Sequence, residues 1–261
     1  MFNSELTITA APVGYACTGT SLVNYTTNSI TYVANLDLLL SSLSSNATSN
    51  TGFYNTTIGD GSDKVYGLFL CRGDITTNDC QTCVATAGQE IKPSCPHSIT
   101  AIAWYDSCLI RYSNQSIFSN LQQDPVYYVY GLKNITSLDQ YNQTVGNLTL
   151  DLVEKAAYGS TTPKYYAAGE QTNYTGYDIV YALVQCTPDV TPDECYGCLI
   201  GSSTLDIPHI IYPREGGRVL KPSCNLRYEF DSPFYSQASS PPATPLSTNS
   251  QAQMVQGEIQ L

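Results

Sequence analysis

Tyr66–Cys83, YGLFLCRGDITTNDCQTC, has a second copy at Tyr181–Cys198, YALVQCTPDVTPDECYGC. In both, an apolar run opening on Tyr ends at a cysteine, eight residues follow, and Cys-x-x-Cys closes the stretch. Cys71, Cys80 and Cys83 therefore answer to Cys186, Cys195 and Cys198. Downstream, CLIRY at Cys108 answers to CNLRY at Cys224, which aligns Arg111 and Tyr112 with Arg227 and Tyr228. The period of about 115 residues is several times a solenoid unit, so the chain is a tandem of whole domains.

The 261 residues accommodate two domains of roughly 110 residues, each just large enough for its own small core. The boundaries read as a lead-in at 1–11, a first domain at 12–119, a packed linker at 120–135, a second domain at 136–235, and a Ser/Pro-rich tail at 236–261 that cannot build a core.

Within the first domain, Tyr32, Leu36, Leu39, Leu40 and Leu43 recur at the spacing of one buried helix face. VYGLFLC suits a buried strand. Thr77, Asn78 or Asp79 is placed to cap a helix through Val84, Ala87 and Ile91 that Pro93 stops, which sets Cys80 and Cys83 on one face. ITAIAWYDSCLIRY has strand composition. The second copy repeats this order, with helices near 145–158 and 193–203 and strands near 164–168, 178–186 and 216–230. The fold class is α+β, each domain an antiparallel β-sheet packed with two helices and stapled by disulfides.

Ten cysteines, together with sequons at Asn24, Asn46, Asn55, Asn114, Asn134, Asn142, Asn147 and Asn173, indicate an oxidising secretory route and a glycosylated, extracellular (apoplastic) product. The start MFNSELTITAAP lacks the basic and apolar regions of a signal peptide, so a leader is expected to have been removed or to begin further upstream. No span of about 20 apolar residues crosses a membrane, and the chain as it stands is expected to be soluble. The net charge of -11 repels nucleic acid and anionic surfaces at long range and favours a neutral or basic partner.

A Cys-x-x-Cys pair can hold zinc or exchange disulfides. Zinc requires four ligands, whereas each copy has one such pair and the chain has only His97 and His209. A redox pair belongs at a helix start in a thioredoxin-like context, and here three cysteines cluster with a fourth downstream. A structural framework of Cys17, Cys71, Cys80, Cys83, Cys95, Cys108, Cys186, Cys195, Cys198 and Cys224 fits better, with no metal and no cofactor. Cys17 and Cys95 lack repeat counterparts and are expected to pair with each other; the six cysteines of the first copy otherwise allow 15 connectivities.

The C-x8-C-x2-C spacing, with YGLFLCRGD, AIAWYDSCLIRYSN, YALVQCTPD and GGRVLKPSCNLRYE, resembles the ginkbilobin-homologous family, the plant cysteine-rich antifungal or salt-stress-response domain, over residues 12 to 235. The tandem form is similar to plant cysteine-rich repeat secretory proteins and to the ectodomains of cysteine-rich receptor-like kinases. The resemblance implies the pairs Cys17–Cys95, Cys71–Cys80, Cys83–Cys108, Cys186–Cys195 and Cys198–Cys224. It also marks a departure: where many second domains carry adjacent cysteines this chain has Ile210 and Ile211, so the second domain is expected to be the less constrained.

The family's single-domain prototype is a mannose-binding antifungal lectin with an Asn–Arg–Glu triad. In the first copy those positions are Thr18, Ile102 and Ser113, and the site is lost. In the second, Arg218 and Glu229 match the Arg and Glu, and the third position cannot be placed. Two charged groups on neighbouring strands can orient a sugar by charge-assisted hydrogen bonds; the plainer reading is an Arg–Glu salt bridge across the strands.

Trp104, beside Cys108, is expected to pack on a disulfide. His97 and His209 each follow a proline and read as surface histidines, and Asp79 and Glu194 as first-turn residues favoured by the helix dipole. With no Gly-x-Ser-x-Gly, HExxH or phosphate-loop pattern, the chain is not read as an enzyme. It is expected to be a recognition module for an extracellular protein partner or glycan in stress or defence signalling; a mannose-binding lectin and a thiol redox sensor are the alternatives.

Overall fold

A computed structural model describes residues 11–20, 27–48, 51–136, 138–172 and 179–235. The lead-in and tail readings, Asn24, Asn173 and the side chains of Thr18 and Asn142 lie outside the described residues.

The first domain runs β1 (Gly14–Thr20), α1 (Thr27–Asn46), β2 (Phe53–Ile58), β3 (Val65–Cys71), α2 (Thr77–Ser94), β4 (Ser98–Trp104) and β5 (Cys108–Ser113). The second runs β6 (Tyr127–Tyr130), α3 (Leu138–Tyr158), β7 (Tyr166–Thr172), β8 (Ile179–Cys186), α4 (Pro192–Gly201), a π-helical segment Ser202–Ile211, β9 (Gly216–Leu220) and β10 (Cys224–Phe230). The two antiparallel sheets have matching strand orders, β1-β4-β5-β3-β2 and β6-β9-β10-β8-β7. The fold is α+β in two homologous domains.

The helices form as their apolar spacing dictates. Tyr32, Leu36, Leu39, Leu40 and Leu43 of α1 are all buried, with Val84, Ala87 and Ile91 of α2. The α2 cap lies one residue before the expected candidates: the Thr76 side chain accepts from the Asp79 N–H. Pro93 does not stop the helix, which runs through Ser94. In α4, Thr191 and Glu194 form a reciprocal capping box.

Along each strand alternate side chains face opposite layers. In the first sheet Phe69, Ala103 and Ile110 point into the core shared with α1 and α2. Leu68, Leu70, Ile102, Trp104 and Leu109 point the other way and join Leu220 of the second sheet in a third apolar cluster. The sheets thus face each other with helices outside, and burial on both faces is why β3 reads as an unbroken apolar run; β5 is buried along its whole length but carries Arg111 and Ser113.

Residues 120–135, expected as a packed linker, contribute β6, which pairs with β9 from Tyr127↔Leu220 to Tyr130↔Gly217. Trp104 does not pack on a disulfide. Its side chain lies on the face away from Cys108, stacks on the Tyr127 ring at 6.2 Å between centroids and donates from Nε1 to the Lys221 carbonyl at 3.4 Å. The strand pleat decides this, because Trp104 pairs with Leu109, the residue after Cys108, and successive residues of a strand face opposite layers.

Disulfides join Cys17–Cys95, Cys71–Cys80, Cys83–Cys108, Cys186–Cys195 and Cys198–Cys224, leaving no free cysteine. The register shows what replaces the third bridge in the second domain. Cys17 faces Ala101 as Tyr130 faces Gly217, so Tyr130 stands in the place of Cys17. Ile211, in the place of Cys95, is fully buried, and a Cβ on Gly217 would meet its side chain at 2.4 Å. An apolar plug against a glycine occupies the space of the bridge.

Candidate functional site

Arg218 and Glu229 lie on adjacent strands of the second sheet and project from the face that meets the first domain. In the β9–β10 ladder Arg218 lies opposite Arg227, and Glu229 opposite Gly216. A Cβ at Gly216 would fall 1.9 Å from Glu229 Oε2, so glycine is what lets the carboxylate lie across the strand.

The two do not bond to each other, which corrects the expected cross-strand bridge. Glu229 accepts from Arg227 Nε at 3.0 Å. Arg218 reaches across the domain boundary and pairs with Asp106 in the β4–β5 turn. Register is the reason: two guanidiniums face each other, so Arg218 turns to Asp106 while Glu229 is taken by Arg227.

Further contacts knit this cluster. Arg227 Nη1 lies 3.8 Å from Asp106, and its guanidinium sits 4.0 Å above the Phe234 ring. Arg72 donates to the Asp106 carbonyl at 3.1 Å and grips Asp74 with two bonds of 2.6 and 3.0 Å. Burial by itself would raise the Asp106 carboxyl, but Arg218, Arg227 and Arg72 outweigh it and hold the group below the usual carboxylate range. Burial, with repulsion from Arg218, lowers the Arg227 guanidinium against the pull of Glu229 and Asp106.

The register also places the third triad position that sequence could not. Thr18 follows Cys17, so its counterpart follows Tyr130 and is Gly131, which has no side chain and donates its N–H to the Gly216 carbonyl at 3.0 Å. The second domain therefore offers the Arg and Glu without the Asn.

Other bonds cross the same boundary. Gln185 Nε2 donates to the Cys71 carbonyl at 3.0 Å, the Gln122 N–H to Ser223 Oγ at 2.9 Å, and the Ser119 N–H to Asp189 at 2.9 Å. Beside them opens a cleft of about 580 Å³ walled by both domains, with Phe53, Ile75 and Thr76 on one side and Pro163, Lys164 and Gln185 on the other. Sequence reading missed these groups, because nothing local distinguishes Asp106, Gln122 or Gln185 from any surface polar residue.

His97 and His209 are both exposed. Asn114, Asn134 and Asn147 are exposed, Asn46 and Asn55 half-buried. Asn134 Oδ1 accepts from Arg214 at 2.9 Å. Among the described residues no helix is long and apolar enough to cross a membrane, and no His/Cys/Asp/Glu group could hold a metal ion.

Residues 16–115 and 130–231 each match the salt stress response/antifungal family. The chain is 39% identical to cysteine-rich receptor-like protein kinase 25 of Arabidopsis thaliana, over 93% of this chain and 36% of the relative. It is 37% identical to cysteine-rich repeat secretory protein 38 of Arabidopsis thaliana, over 79% of each. To an antimicrobial ginkbilobin-2-like protein of Castanea crenata it is 36% identical, over 76% of this chain and 80% of that one. It thus spans about a third of the length of the receptor kinases it matches and most of the smaller relatives.

The tandem DUF26 ectodomain of the Arabidopsis thaliana receptor-like protein PDLP8 superposes with a TM-score of 0.70 over 84% of this chain and 98% of that one, at 20% identity, a likeness of fold. Two complete domain matches joined by one interface leave a single conclusion: the chain belongs to the salt stress response/antifungal family, as a tandem pair of its domains.

Proposed function

We propose that the chain is a non-enzymatic recognition module of the apoplast that binds an extracellular partner protein in plant stress or defence signalling. The supporting observation is apolar surface along the free edge of the second sheet. There β6 pairs on one side only, Tyr130 is 45% and Leu132 92% exposed, and Leu205 and Ile210 of the π-helical segment are exposed as well. An unpaired strand edge flanked by tyrosine and leucine offers backbone hydrogen bonds and apolar contact together, the combination used in strand-addition recognition. Relatives named as secretory proteins and as receptors agree with an extracellular setting.

The lectin alternative has to draw on Arg218 and Glu229 alone, since Gly131 supplies no side-chain amide, and both side chains would have to leave their ion partners. The redox alternative has to break a disulfide first. The test is proximity labelling with the glycosylated, oxidised protein in leaf apoplast, beside a glycan array. The expected result is a labelled protein set lost in a Tyr130→Ser, Leu132→Ser variant and kept in Arg218→Ala, Glu229→Ala. Mannose retention by the wild type that disappears in the second variant would overturn the reading in favour of a lectin.

A further inference from the structure

The tandem repeat contains its own control for the ion cluster around Arg227. Cys108 and Cys224 open β5 and β10, and the ladders on either side agree, so Arg111 occupies the place of Arg227 and Ile102, opposite it, the place of Arg218. By the same register Ser113 stands for Glu229, Thr100 for Gly216, and Pro222 for Asp106. The guanidinium is kept, and both of its carboxylates are replaced by a proline and a serine.

Arg111 is 5% exposed. Its side chain donates from Nη2 to the neutral Gln122 amide and enters no ion pair among the described residues. Asp189 acts on it from beyond ion-pair distance and does not line the space in front of it. That space is a cavity of about 410 Å³ walled by Ala16, Ala101, Ile102, Pro125 and Pro222, with Thr100 and Asp124 also lining it. Gln122 takes one of the five guanidinium donors, and water or a ligand in the cavity has to meet the rest of a side chain that is otherwise buried. Burial pushes the Arg111 guanidinium down to about 10, with Asp189 opposing, as expected of a cation short of counter-charge.

We propose that the cavity against Arg111 is a binding site for a small organic carboxylate, whose anionic end takes the place that Asp106 and Glu229 hold against Arg227 and whose apolar body lies on Ile102, Pro125 and Pro222. The chain's net charge of -11 gives such a ligand no long-range help. Affinity comes from the local, desolvated contact, where a guanidinium and a carboxylate pair most strongly. Asp124 is exposed and opposes the ligand only through solvent-screened repulsion. The inference is independent of the protein-partner reading, since none of Tyr130, Leu132, Leu205 and Ile210 lines the cavity.

Calorimetric titration of the full oxidised chain with sodium benzoate and with neutral benzamide, at constant ionic strength, tests it. Benzoate is expected to bind saturably at one site, and benzamide at least about tenfold more weakly. Pro222→Asp, which supplies the missing carboxylate from within the chain, is expected to weaken benzoate binding by about tenfold or more, and Asp124→Asn, a surface change, to tighten it about threefold. The proposal is overturned if the wild type does not bind benzoate, if benzamide binds equally well, or if a folded Pro222→Asp variant binds benzoate as the wild type does. Should Pro222→Asp fail to fold, unchanged affinity in Asp124→Asn would overturn it as well.

Discussion

Replacing Trp104 by alanine tests whether the two domains unfold as one body. The indole is 1% exposed and belongs to neither helix-backed core; it lies between the sheets among Leu70, Leu109 and Leu220, stacked on Tyr127. Large-to-small truncation of a buried Trp costs about 3–5 kcal/mol through lost transfer energy and the cavity left behind. The stacking and the long Nε1–carbonyl bond are contained in that figure. Against the 5–15 kcal/mol that is typical of a folded domain, this is a large fraction. Because the loss falls on the shared layer, the cores around Phe69 and Val184 stay intact. Guanidinium unfolding with disulfides retained, followed by far-UV circular dichroism, should therefore show one transition in the wild type and two in Trp104→Ala. A single transition weakened by less than about 1 kcal/mol would refute the reasoning, since it would mean that the inter-sheet cluster fills space without coupling the domains.

The Asp106 carboxyl has a folded-state value below its unfolded one, so the unfolded chain binds its proton more readily. The stability it supplies is present above about pH 5 and is lost as pH falls through the folded value; Asp106→Asn should flatten the acid limb of a stability–pH profile below about pH 4, and an unchanged limb would exclude the pair with Arg218 as its source. Thr191→Ala removes the capping-box hydroxyl of α4 and should cost about 1 kcal/mol in the same unfolding assay, with Thr191→Ser restoring most of it.

Much of this protein was legible in one dimension. The repeat, the helix faces of α1 and α2 and the buried strand VYGLFLC follow from residue spacing, because helix and strand periods are local properties of the chain. The family pairing pattern could be carried over because the cysteine spacing is itself the signature. What spacing could not supply was the partner of any residue across the domain boundary. Arg218 and Glu229 sit on neighbouring strands in any reading; only the register, with Arg227 opposite Arg218, sends one to Asp106 and the other to Arg227. Trp104 lies close to Cys108 in sequence, but the strand pleat turns it to the opposite layer. The linker's tyrosines announced packing, yet that they form the edge strand of the second sheet depended on the free side of β9. Arg111 looks like its repeat mate Arg227 in sequence. That Ser113, two residues along the same strand, replaces Glu229 was legible in the sequence; that Pro222 of the other domain, in the place of Asp106, lines the cavity in front of Arg111 was decided by the tertiary structure, because local sequence carries no information on contacts between domains.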